Sequence, residues 1–267
     1  MTDQASQSSQ PARTALWLPL AAGLGFAGVG ALLIPSVREQ FIVEGVRWLY
    51  ILLFSFAATF ALTPASIVLG TRWGFVDQPN ERKIHGTPTP RIGGLAVYLG
   101  FVSAILVNSI LADWMVAILV AGSLLLIVGM LDDARELPAW SKLVAQLAAA
   151  GLVIYSGKVL SLFPDGPWGD AVNILLTFLW IVGITNAFNF FDGMDGLASG
   201  LAVLIAFFMG AVAFDTNQPG LGWLAVAILG AGVGFMPYNF RFNKQAIVFL
   251  GVGGSTFLGF TLACQAV

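Results

Sequence analysis

Asn186-Ala-Phe-Asn-Phe-Phe-Asp-Gly-Met-Asp-Gly-Leu197 lies between two strongly apolar runs, 171–190 and 197–214. Asn186 and Asn189 are three residues apart, as are Asp192 and Asp195. Spacing of i, i+3 on a helix places members of such a set on one face. Gly193 and Gly196 predict a helix break with a tight turn. Carboxylates in so apolar a setting are costly unless water, a cation or a polar partner meets them. Two readings follow: polar glue between helices, or a site at which the acids work. Oxygen donors without a Cys or His cluster suit a hard cation, Mg²⁺ or Mn²⁺, better than zinc.

Outward from this stretch, hydrophobic residues make up 58 % of the 267-residue chain and charged residues 10 %, with a mean hydropathy of +0.86. Soluble domains average about 45–50 % apolar and about 25 % charged, so the chain reads as an all-α, polytopic membrane helix bundle. Nine apolar runs are expected to form its segments, at about 14–35, 47–70, 92–112, 114–131, 141–156, 171–190, 197–214, 221–236 and 254–267. The last is incomplete against the roughly 20 residues that span a bilayer. Residues 1–13, rich in Ser and Gln, read as a disordered tail without the pattern of a signal peptide. The net charge of −2 identifies no partner, and nothing points to nucleic acid. The single cysteine, Cys264, excludes an internal disulfide framework.

With the N-terminus inside, the inner segments hold nine Lys and Arg residues and the outer ones three, Arg38, Arg47 and Lys158. That is a positive-inside bias. It puts 71–91, 132–141, 186–196 and 237–253 on one face, the cytoplasmic one. In the first of these, Pro79, Pro88 and Pro90 hold the chain partly extended, and Arg82, Lys83, His85 and Arg91 form a cationic edge suited to phosphate. An ordinary basic loop accounts for that edge equally. In the second, Asp132 and Asp133 end an apolar helix, where the macrodipole disfavours them without a cation or full hydration; a solvated end capped by Arg135 is the plain alternative. In the fourth, Gly251-Val-Gly-Gly-Ser255 ahead of a helix offers backbone N–H groups to a phosphate, and Phe249 could stack on a base or merely pack. Acids clustered at one face also argue against an ion transporter, whose site belongs near the bilayer midplane.

These motifs resemble those of the polyprenyl-phosphate N-acetylhexosamine-1-phosphate transferases, or glycosyltransferase family 4, and in particular the bacterial undecaprenyl-phosphate GlcNAc-1-phosphate transferases. The resemblance rests on Asp77-Gln-Pro-Asn-Glu-Arg-Lys-Ile-His85 with Pro88-Thr-Pro-Arg-Ile-Gly-Gly94, on Leu131-Asp-Asp133, on Asn186 to Leu197, and on Asn239 with Phe249-Leu-Gly-Val-Gly-Gly-Ser255. It runs from about residue 47 onward, so 14–46 reads as an added transmembrane helix and external loop ahead of a transferase-like domain, 47–267. It implies a bacterial cytoplasmic-membrane enzyme that passes a sugar-1-phosphate from a UDP-sugar to polyprenyl phosphate with Mg²⁺. The product would serve lipopolysaccharide, teichoic acid or another cell-envelope polymer.

By the same resemblance Lys83 holds phosphate, and Asp132 and Asp133 are the acidic pair, with Asp132 activating the lipid phosphate. Asp133 and Asp192 bind the metal. Asn186, Asn189, Asp195, Asn239, Arg82 and His85 contact substrate, and Phe249 stacks on uracil. Two departures stand out. Val252 occupies the position of a metal-binding aspartate in the family's Gly-Asp-x-Gly-Ser, and valine offers no oxygen. The chain also stops at Val267, before a His-containing loop and further helices of the family. A catalytically inactive member that binds substrate or a paralogue is therefore the alternative expectation. Small residues in Gly23-Leu-Gly-Phe-Ala-Gly28 would allow close helix packing, including in a homodimer.

Overall fold

The computed structural model describes residues 17–77, 88–242 and 244–267. The expected tail 1–13 and the basic residues Arg82, Lys83 and His85 lie outside the described residues. Ten helices are described: α1 Trp17–Leu32, α2 Pro35–Val43, α3 Arg47–Trp73, α4 Gly93–Val107, α5 Asp113–Arg135, α6 Ala139–Tyr155, α7 Pro167–Phe191, α8 Leu197–Asp215, α9 Pro219–Asn239 and α10 Gly251–Gln265. A two-stranded antiparallel hairpin, β1 Val76–Asp77 and β2 Thr89–Pro90, follows α3. Its extended backbone is what prolines at 88 and 90 enforce.

Local signals set the boundaries. Pro occupies the first turn of α2, α7 and α9, where its missing N–H has no partner to lose. Gly74 ends α3 in the left-handed conformation. The stretch expected to be an external loop, 36–46, instead contains α2, initiated by Pro35 and bent 67° from α1.

Every one of the nine apolar runs contains a helix, but they are not nine equal spans. α3, α5, α7, α8 and α9 are long and apolar enough to cross a membrane, and α1 with α2 makes a sixth if the bent pair counts as one span. α4 and α10 have 15 residues and α6 has 17; at 1.5 Å per residue these are shorter than the roughly 30 Å hydrocarbon layer.

The interior is organised around α10. All of its residues except Val252 are buried, and it packs against α4, α5, α7, α8 and α9. Glycines make this possible. A Cβ on Gly129 of α5 would lie 2.4 Å from the backbone of Gly253, and one on Gly94 of α4 would lie 2.2 Å from Gly254. The glycines of Gly251-Val-Gly-Gly-Ser255 thus let three helix backbones approach one another. Gly25 of α1 does similar work against Ala61 of α3, whereas a Cβ on Gly28 would make an ordinary contact of 3.5 Å with Ala57 Cβ. Leu175, Leu179, Leu204, Phe207 and Phe208 on α7 and α8 are exposed, as lipid-facing positions should be.

Candidate active site

All four segments assigned to one face meet. A cavity of about 730 Å³ is walled by Asp77 and Arg91 from the first, Asp133 from the second, Asn189, Asp192 and Asp195 from the third, and Phe249 and Val252 from the fourth. Arg38, Arg47 and Lys158, expected on the opposite face, lie near the helix ends remote from this cavity: on α2, at the start of α3, and beside Trp114 at the start of α5.

The N-terminus of α10 holds the two central acids. The Val252 N–H donates to Asp133 Oδ2 at 2.8 Å, and that of Gly253 also reaches Asp133. The Gly251 N–H donates to Asp192. Amides at a helix N-terminus carry partial positive charge, so this arrangement stabilises two neighbouring carboxylates. It also corrects the expectation that these amides are free for a phosphate: the protein's own acids occupy them. Gly251 has φ = +75°, and a Cβ there would lie 2.0 Å from the Arg91 carbonyl and 2.6 Å from Asp133 Oδ2; the turn admits only glycine. Asp192 caps α7, and its pKa is raised well above the ordinary 3.8, first by desolvation and then by the charge of Asp133.

Arg91 is the compensating cation among the described residues. The β hairpin presents it, Asp77 Oδ1 holds it at 2.6 Å, and its charge acts on both Asp133 and Asp192. Asp195 Oδ2 accepts the Ala246 N–H at 2.8 Å, which ties the third segment to the fourth. Phe249, in the cavity wall, is fixed through its backbone, its N–H donating to the Pro90 carbonyl at 2.8 Å and its carbonyl accepting the Gly93 N–H at 2.9 Å. Asn239 is elsewhere. It is 2 % exposed, accepts from Ser199 Oγ at 2.6 Å and donates to the Val248 carbonyl at 3.0 Å, bracing the strand-like approach to Phe249.

A second cavity, of about 260 Å³, adjoins the first, with Asn189 and Val252 in both walls. Its polar groups are Lys142, Gln146 and Asn186, and Leu125, Val128 and Leu143 give it an apolar side. Gln146 and Asn186 exchange amide hydrogen bonds of 2.7 and 3.2 Å. Asp132 is turned this way, not toward Asp192. It is 8 % exposed, with Oδ1 accepting the Leu137 N–H at 2.8 Å and Oδ2 bound to Lys142 Nζ at 3.0 Å. Asp132 is therefore not solvated, although Ala134, Arg135 and Glu136 beside it at the helix end are exposed. Sequence reading did not single out Lys142 and Gln146, although an i, i+4 polar pair on an apolar helix just after two aspartates is a usable signal.

Among the described residues no three acidic, His or Cys side chains converge on a point that could hold a metal. The Asp133–Asp192 pair nevertheless suits Mg²⁺, which is commonly bound by one or two carboxylates together with substrate phosphates.

Residues 115–267 match the model of glycosyl transferase family 4. The chain is 33 % identical over 224 residues to a probable undecaprenyl-phosphate N-acetylglucosaminyl 1-phosphate transferase of Bacillus subtilis, covering 82 % of this chain and 62 % of that protein. It is 36 % identical over 232 residues to a decaprenyl-phosphate N-acetylglucosaminephosphotransferase of Mycobacterium tuberculosis, covering 78 % and 57 %. It is 30 % identical over 225 residues to an undecaprenyl-phosphate alpha-N-acetylglucosaminyl 1-phosphate transferase of Yersinia pestis, covering 80 % and 59 %. The chain thus spans about three-fifths of the length of these relatives. With a family match over more than half its residues, this chain belongs to glycosyl transferase family 4.

Proposed function

We propose that the chain is a phosphosugar transferase that moves N-acetylglucosamine 1-phosphate from its UDP-linked donor to a polyprenyl phosphate acceptor at the cytoplasmic face of the inner membrane. The observation that carries this reading is the pair of adjoining cavities at one end of the bundle, one wide and acidic, the other small, cationic and half apolar. The wide cavity takes the nucleotide-sugar, with the Phe249 ring against the base. The small one takes the acceptor's phosphate at Lys142, with its hydrocarbon against Leu125, Val128 and Leu143. Asn189 and Val252, common to both walls, mark where the two substrates meet.

In the reaction an oxygen of the acceptor phosphate forms a bond to the β-phosphorus of the donor, the bond from that phosphorus to the bridging oxygen breaks, and UMP leaves with the electron pair. Such transfer depends mainly on positioning and on neutralising charge. Asp132 acts by holding Lys142, so its role is positioning. Arg91, steadied by Asp77, offsets charge at the diphosphate. Asp133 and Asp192, immobilised by the α10 amides, would hold Mg²⁺, which supplies charge neutralisation at the phosphoryl oxygens when bound.

Val252 favours a second reading. It is the one α10 residue not buried and it stands in both cavity walls, where the family motif resembled by this sequence carries an aspartate. A member that binds donor without turnover would have this composition. Purified protein assayed for Mg²⁺-dependent lipid-linked product from UDP-GlcNAc and undecaprenyl phosphate, beside Val252→Asp, separates the two. Product from the unmodified chain, lost in Asp192→Asn, supports the transferase; donor binding without product in the unmodified chain, with product restored by Val252→Asp, supports the binding reading.

A further inference from the structure

A second cavity region lies at the other end of the molecule, independent of the transferase reading. α3 runs from Arg47 to Trp73, 27 residues, and at 1.5 Å per residue this separates its two ends by about 40 Å. At the Arg47 end a cavity of about 380 Å³ opens between α2, α3 and α4. Arg38, Glu39 and Tyr50 supply its polar side, and Leu33, Ile42 and Val107 its apolar side. Leu33 and Ile42 are 52 % and 46 % exposed.

Polar groups here are imperfectly matched. Arg47 begins α3, donates through one terminal nitrogen to the Asn108 carbonyl, and lies 4.4 Å over the Trp223 ring. Arg38 is close enough for its charge to act on Arg47, and neither forms an ion pair among the described residues. The Nε atoms of both arginines and Oδ1 of Asn108 are buried and have no hydrogen-bond partner among the described residues. The Tyr50 hydroxyl is already used, donating to the Leu32 carbonyl at 2.8 Å. A buried polar group without a partner is costly, more so when charged, and the like charge of Arg38 acting on Arg47 adds repulsion.

We propose that this cavity binds the phosphodiester of a phospholipid whose headgroup ends in an ammonium group, such as phosphoethanolamine. Arg38 in the cavity wall supplies donors for phosphate oxygens, guanidinium matches a phosphate in shape as well as charge, and an anion there offsets the repulsion between Arg38 and Arg47. The Glu39 carboxylate, also in the wall, supplies an acceptor, which a bare anion would not use and an ammonium would. The exposed Leu33 and Ile42 side chains accept the first methylenes of the acyl chains. Free phosphate lacks both the ammonium and the apolar part, so the composition of the site favours a lipid.

The test uses the purified full chain in detergent, with lipid binding read by native mass spectrometry and by thermal shift. Phosphatidylethanolamine is expected to be retained and to raise the melting temperature. Arg38→Gln should weaken it at least tenfold, and Glu39→Gln should erase the preference over phosphatidylcholine. The melting temperature of lipid-free Arg38→Gln, equal to that of the lipid-free unmodified chain, controls for folding. Equal retention of phosphatidylethanolamine by the unmodified chain and Arg38→Gln overturns the site. Equal retention of phosphatidylcholine, or competition by millimolar inorganic phosphate, overturns the assigned headgroup.

Discussion

Asp192 combines a polar task with an environment that resists charge, and that sets its response to pH. Its raised pKa means the folded chain keeps this proton at pH values where an unfolded chain has lost it. Its contribution to stability is therefore fully present at low pH and fades as pH rises from 3.8 through the raised value. Cation binding has the opposite sign, because the proton must leave first: Mn²⁺ affinity measured by calorimetry should climb with pH and level off above the raised value. Asp192→Asn should reduce that slope and lower transfer by roughly 10²-fold or more, as loss of a preorganised charge stabiliser does. Lys142→Ala leaves Asp132 buried without its cation. A loss of about 2 kcal/mol is expected for one partner of a half-buried charged hydrogen bond, together with weakened use of the acceptor. A rise in the acceptor KM larger than the drop in kcat would mark Lys142 as a binding group.

Among the elements, α10 bears the tightest constraint. Gly129→Ala places a Cβ against the backbone of Gly253, and overpacking of this kind costs about 1–3 kcal/mol. Gly23→Ala, where the added Cβ meets nothing within 4 Å, should leave the melting temperature in detergent unchanged or slightly raised. The contrast also shows what a sequence can disclose. Glycine run, acidic pair and Asn/Asp stretch were all legible as polar or special positions in a greasy chain. That Gly253 and Gly254 serve close packing while the amides beside them serve Asp133 and Asp192 was not, because both depend on which helices surround α10. Asp132 and Asp133 are adjacent and look equivalent; the helix twist sends one to Lys142 and the other to Val252. Asn239 reads as a site residue by its motif and lies buried, hydrogen-bonded to Ser199 and to the Val248 carbonyl. α2 was missed because its nine mixed polar and apolar residues, the first a proline, lack an apolar run long enough to register.

For the whole molecule, the distribution of basic residues matched the geometry: segments assigned to one face do meet, and the three remaining cations sit near the other ends of the helices. The compartment facing the cavity is testable by labelling. Cys264 is buried, so native background should be low. Ala134→Cys should react with an impermeant maleimide only in inverted vesicles, and Glu44→Cys only in intact cells. Reaction of both from the same side would contradict the bundle's sidedness, and the reverse pattern would place the cavity outside.

The enclosed position of α10 has a consequence for biogenesis. It follows in the chain every helix that it touches, so while a ribosome is still making it, α4, α5 and α7 surround a gap and both central aspartates lack the amides that hold them. The acidic end of the bundle therefore cannot take its final form before the innermost helix has entered it. Insertion is also a checkpoint: an arrested chain ending before residue 250 would display unmatched acids and apolar groove walls, a state that membrane quality control can recognise and remove.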